Sequence, residues 1–214
     1  MRRLLNYIII LSLSLFVFGC DSILSSGTTI DKDSDEFDYI ETTEKGIVHY
    51  KGTPFNGSIT ESLENGQLGQ KTTYKDGKKE VFERYYENGQ LEEKGTYKDG
   101  VGDGAIEMYY EEGKLKAKGT LKDGKKDGVF EWYYENGQLE EKGTYKDGKL
   151  NGASEFYHEN GQLKEKGTLK DGKQDGAFET YYENGQLSWK TTYKDGKQDG
   201  AFESYYENGQ LKAK

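Results

Sequence analysis

The chain has 214 residues, of which 32% are hydrophobic and 32% charged, with a formal net charge of -9. That balance excludes the basic stripe a phosphate backbone requires, so nucleic acid is not an expected partner. One cysteine and two histidines exclude an internal disulfide framework and leave little material for a metal centre.

The N-terminus reads as an address. Arg2 and Arg3 form a short positive region, and Tyr7 to Phe18 form an apolar stretch of signal-peptide length, too short to span a bilayer comfortably. Val17-Phe18-Gly19-Cys20 then resembles a bacterial lipobox, at which the peptide is cut before the cysteine and the cysteine is lipidated. The resemblance implies a signal peptide over residues 1–19, lipidation of Cys20 and a membrane-anchored protein outside the cytoplasm.

Residues 20–45 follow as the lipidated cysteine and an acidic segment containing Ser22, Ser25, Ser26, Thr28 and Thr29. Composition predicts a disordered, self-repelling tether. As a flexible coil it would hold the remaining chain roughly 25–30 Å from the bilayer. Asp31-Lys32-Asp33-Ser34-Asp35 has the start of a calcium loop, but Glu36 and Thr42 stand where that loop needs glycine and a bidentate glutamate. No metal is expected there.

From Gly46 to Lys214 a unit of about 24 residues repeats. One glycine ladder runs Gly66, Gly89, Gly113, Gly137, Gly161, Gly185 and Gly209, and a second runs Gly77, Gly100, Gly124, Gly148, Gly172 and Gly196. Each unit holds an Asn-Gly and an Asp-Gly (Asn136-Gly137 and Asp147-Gly148 in the clearest copy), the strongest short hairpin signals. Residues 46–214 are therefore predicted to be all-β, an elongated antiparallel hairpin meander of about seven repeats and roughly fourteen strands.

A two-residue turn at Asn136-Gly137 sets Tyr134 opposite Leu139, Trp132 opposite Glu141 and Phe130 opposite Gly143. Alternation then places Phe130, Trp132, Tyr134, Leu139, Gly143 and Tyr145 on an apolar face, and Glu131, Tyr133, Gln138, Glu140, Lys142 and Thr144 on a charged one. A bulge in the turn would shift the second strand by one residue. The centre of the apolar face varies between copies, running Arg84, Met108, Trp132, Phe156, Thr180 and Ser204, with expected cross-strand partners Glu93, Ala117, Glu141, Glu165, Trp189 and Ala213. Trp132, Phe156 and Trp189, with Met108, Tyr134 and Tyr182, are the candidate partner-binding residues. Packing between adjacent repeats is the commoner fate of such aromatic columns.

The pattern Tyr-Tyr-Glu-Asn-Gly-Gln-Leu, Lys-Gly-Thr-Tyr-Lys-Asp-Gly-Lys and Asp-Gly-Ala-Phe-Glu resembles the bacterial MORN-repeat variant family, some of whose members are described as YwqK-type antitoxins. The resemblance covers roughly residues 46–214. It implies a β-hairpin meander, a protein–protein or scaffold role and no catalytic residues. The Tyr-x-Gly-x-Trp opening of eukaryotic MORN units is absent, so lipid binding proposed for those proteins does not transfer. A second resemblance, to choline- and glucan-binding cell-wall modules, is thinner, because those use paired tryptophans in most repeats and this chain has two in all.

Catalysis and cofactors are not expected. The one thiol belongs to the lipobox, and His49 and His158 are far apart in a thin repeat sheet. Three readings remain open: a membrane-anchored protein-interaction scaffold, a carbohydrate- or cell-wall-binding module, and an immunity protein for an exported toxin.

Overall fold

The computed structural model describes residues 28–214. The signal-peptide and Cys20 readings lie outside the described residues, as does the tether up to Gly27. Among the described residues no helix is long and apolar enough to cross a membrane.

The repeats form one long sheet in which each strand pairs antiparallel with the next, from Gly57–Ser62 and Leu68–Lys75 onward to Leu187–Lys194, Glu203–Tyr205 and Leu211–Ala213. Among the described residues it holds seventeen strand segments. Two strands are interrupted, at Lys125–Lys126 before Gly128–Tyr133 and at Lys197–Gln198 before Glu203–Tyr205, yet each keeps a single place in the sheet. At ~4.8 Å per strand the sheet runs about 65–70 Å.

The two turns of a unit are built differently. Asp147 (φ 50) and Gly148 (φ 82) both take positive φ, as a two-residue type I′ turn demands, and Lys146 pairs with Lys149 across it. At Asn136-Gly137 only the glycine is left-handed (φ 86). There the Gly137 N–H donates to the Tyr134 carbonyl and the Tyr134 N–H to the Gln138 carbonyl, each at 2.8 Å. This is the three-residue loop in which a tight turn ends in a left-handed glycine.

The loop corrects part of the expected register. Leu139 pairs with Tyr133, not Tyr134, and a bulge between Trp132 and Tyr133 then restores the pairs Trp132–Glu141 and Phe130–Gly143. The physical reason is the Asn136 side chain. Its Oδ1 accepts the Gln138 N–H at 2.8 Å, which fixes the wider loop.

The tether expectation is also corrected. Thr28–Asp31 forms a strand that pairs in parallel with Gly57–Ser62, a short 3₁₀ turn spans Asp35–Tyr39, and Ile40–Thr42 joins Val48–Tyr50 and Thr53–Pro54 in a small three-stranded sheet. Residues 28–45 therefore belong to the folded module, which does not wait until residue 46. Ile30, only 1% exposed, forms a core with Val48, Phe55 and Ile59, and Phe37 and Ile40 pack against it. Burying one such side chain contributes about 1.5–3 kcal/mol, enough to offset the ordering of one or two residues. Lys32 also pairs with Glu61 of the main sheet at 2.5 Å.

Beyond this cap the sheet is one layer thick. Its spine runs Phe82, Gly95, Ile106, Gly119, Phe130, Gly143, Ser154, Gly167, Phe178, Thr191, alternating large and small side chains across successive strands except at Ser154, which puts a small residue in a large one's place. The Phe130 and Phe178 rings lie over Gly119 and Gly167, so that a Cβ on Gly119 would meet the Phe130 ring at 2.5 Å.

Candidate interaction surface

Directly opposed residues of a sheet share a face. Pairing runs from Met108 to Ala117, Trp132, Glu141, Phe156, Glu165, Thr180 and Trp189, then Ser204. Four of the expected residues, Met108, Trp132, Phe156 and Trp189, thus stand in one column on one face. Trp132, Phe156 and Trp189 are half-buried, and Met108 is exposed. The column alternates apolar groups with the carboxylates of Glu141 and Glu165, whose pKa values burial raises. Lys126 and Tyr145 partly offset that rise at Glu141.

Tyr134 and Tyr182 lie elsewhere. Their hydroxyls donate to the carbonyls of Tyr157 and Tyr205, one repeat on, as Tyr86 and Tyr110 do to Tyr109 and Tyr133. His158 takes the same place, with Nε2 3.2 Å from the Tyr181 carbonyl oxygen, so the Nε2-protonated tautomer keeps the bond. Asn88, Asn136, Asn160 and Asn184 add parallel bonds from Nδ2 to the next turn. This edge is a row of staples between repeats.

The opposite face is neutralised in part from within. Glu131 accepts from the Tyr133 hydroxyl at 2.7 Å and pairs with Lys118 at 3.0 Å and Lys142 at 3.2 Å. These contacts, the tyrosine first, draw its carboxyl down to about 2. Glu179 and Glu203 repeat the arrangement with Lys166 and Lys190. Shallow hollows lie between, one of about 300 Å³ lined by Ala153, Glu155, Lys166, Thr168, Ala177 and Glu179. With Glu131, Glu179 and Glu203 already matched to lysines, those stretches of the face offer a ligand little uncompensated charge.

On the aromatic face one feature escaped sequence reasoning. Lys126 Nζ sits 4.3 Å from the Trp132 ring centroid and 5.0 Å from those of Phe130 and Tyr145. Lys79 does the same 4.3 Å from Phe82 and 3.8 Å from Tyr97. A lysine recurring shortly before the ring of the spine was the available signal. The arrangement holds cations against rings. It brings together no nucleophile, base and oxyanion donors, and among the described residues no three His, Cys, Asp or Glu side chains are placed to hold a metal.

The family model described as MORN repeat variant matches residues 81–99, 103–123, 126–147, 150–171, 174–195 and 198–214. These cover more than half of the chain, which belongs to the MORN-repeat variant family. It is a repeat protein of the interaction-module kind. No curated protein matches it. One solved structure, titled "Crystal structure of GtfA/B complex bound to UDP and GlcNAc", is similar at 12% identity and a TM-score of 0.20, over 68% of this chain and 27% of that one. The chain spans about a quarter of that structure's length, and so low a score carries no functional argument.

Proposed function

We propose that this protein is a non-catalytic scaffold, held outside the cytoplasm by a lipid on Cys20, that docks a protein partner on its aromatic face. The observation that carries the reading is the Met108–Trp132–Phe156–Trp189 column. Large apolar groups remain partly open to solvent in a row, while on the charged face Glu131, Glu179 and Glu203 are paired with lysines. Half-buried aromatic side chains are typical anchors of a protein interface.

Photoreactive residues at Trp132, Phe156 and Trp189, introduced one at a time into the full chain in intact cells, test it. One protein captured at all three positions supports the reading. Capture of glycan fragments, or of lipid alone, overturns it. Cys20→Ala tests the anchor: the lipoprotein reading expects loss of fatty-acid labelling and of membrane association, and retained labelling overturns it.

A carbohydrate- or cell-wall-binding module is the second reading. In its favour, Trp132 and Trp189 share a face and have Tyr145 and Tyr193 nearby, with Trp132 5.9 Å from Tyr145.

A further inference from the structure

The aromatic face carries three clusters that share a phenylalanine packed edge-on against a tyrosine of the next strand. In the first, Phe82 and Tyr97 receive Lys79; in the second, Phe130, Trp132 and Tyr145 receive Lys126. Burial pulls both ammonium groups below the usual lysine range, as a partly desolvated seat requires. The third cluster comprises Phe178, Trp189, Tyr193 and Phe202. Phe178 lies 6.3 Å from Trp189 with the rings nearly parallel, and 5.7 Å edge-on from Tyr193, while Trp189 lies 6.1 Å from Phe202.

This third cluster lacks its cation. The residue two repeats on from Lys126 is Gln174. Among the described residues no lysine or arginine lies over any of the four rings. Glu165 stands two places along the column from Trp189, across Thr180, and among the described residues no cation lies within ion-pair distance of its carboxylate. Lys164 acts on it only through its charge, as Lys126 does on Glu141. Rings with a negative face and a carboxylate that closes no ion pair together define a cation seat.

We propose that the Trp189 cluster is the docking point for a lysine side chain of a protein partner, which fills in trans the seat that Lys126 and Lys79 fill in cis. The inference rests on the reading that the aromatic face docks a protein. Charge complementarity selects the occupant, since both seats filled from within hold lysine and the chain as a whole carries a net charge of -9. The surface is open and does not enclose a small free cation, so the ammonium must be delivered on a partner that holds it there.

The test uses the full chain carrying Trp132→Phe, so that Trp189 alone reports by fluorescence. The probe is an alternating Lys-Ser octapeptide, with its lysine-acetylated form as control. The lysine peptide is expected to change Trp189 emission saturably and the acetylated one not at all. Glu165→Gln weakens the lysine peptide roughly two- to fivefold, the range of one exposed charge pair. Gln174→Lys, which fills the seat from within, abolishes the response. Equal binding of the acetylated peptide, an unchanged response in Gln174→Lys with its circular dichroism preserved, or saturation by free choline at the same concentration overturns the inference. Failure here is separable from failure of the scaffold reading. A partner still captured at a photoreactive Trp132 in a Gln174→Lys chain removes the lysine seat and leaves the scaffold standing. Absence of any captured protein in the parent chain removes both.

Discussion

The Tyr134 hydroxyl donates to the Tyr157 carbonyl oxygen at 2.7 Å, joining one hairpin end to the next across 23 residues. The bond is made by a side chain, so the repeats are held together by more than their shared strand ladder. It also gives Tyr134 a structural use.

Tyr134→Phe removes that bond and keeps the ring. The expected loss is about 1 kcal/mol of unfolding free energy, read as a lower urea midpoint at unchanged slope. Tyr110→Phe and Tyr182→Phe should behave alike, and the three should nearly add because the sites are separate. An unchanged midpoint with lost partner capture would instead make Tyr134 a contact residue.

Acid should weaken the sheet through the charged face. Glu131, drawn down to about 2 from the ordinary 4.5, contributes stability above pH 4.5 that is lost as pH falls toward 2. Glu141 and Glu165, raised by burial, act oppositely and are relieved by protonation. Glu131→Gln is therefore expected to cost up to about 1 kcal/mol at pH 7, the range of a surface pair, with the difference closing by pH 2. Urea midpoints measured from pH 7 to pH 2 check this. At the other end, burial raises Tyr109, Tyr145 and Tyr157 to about 12. Stability present below pH 10 should then be lost as pH rises through 12.

The glycines of the spine differ in how much room they have. Gly119→Ala places a Cβ 2.5 Å from the Phe130 ring and should cost about 1–3 kcal/mol. At Gly95 the nearest atom is 3.8 Å away, so Gly95→Ala should be neutral or stabilise by up to about 1 kcal/mol. Thermal midpoints of the two variants should move apart. If they fall together, rings do not need the glycines beneath them.

Ser154 interrupts the spine. It is 3% exposed, and its hydroxyl has no hydrogen-bond partner. Ser154→Ala should stabilise by about 1 kcal/mol, because an unsatisfied buried hydroxyl is removed with little change of shape. A lower thermal midpoint would mean that the hydroxyl is bonded in solution.

Sequence periodicity made the column legible. Comparing copies lined up Met108, Trp132 and Phe156, and strand alternation supplied Glu141, Glu165 and Trp189 as their opposites. The turn at Asn136-Gly137 was less legible, since the dipeptide serves both the two-residue and the three-residue loop. The N-terminal cap was hidden by averaging: composition over residues 20–45 is acidic, and Ile30, Phe37 and Ile40 act singly against the core. The lysine seats were missed because strand pairing is irregular beside each, at the register shift opposite Lys79 and at the interruption between Lys126 and Gly128, where alternation fails as a guide.

Because the strands lie across the long axis, their backbone hydrogen bonds run along it. A pull between the two ends of the sheet loads those bonds one rung at a time, so the chain should peel hairpin by hairpin instead of snapping as a block. Each released unit of about 24 residues would add roughly 80 Å of extended chain. Anchored by one end and gripped at the other, the molecule would be a yielding strap whose steps under single-molecule force record its repeats, with the Tyr134–Tyr157 bond and its fellows setting the height of each step.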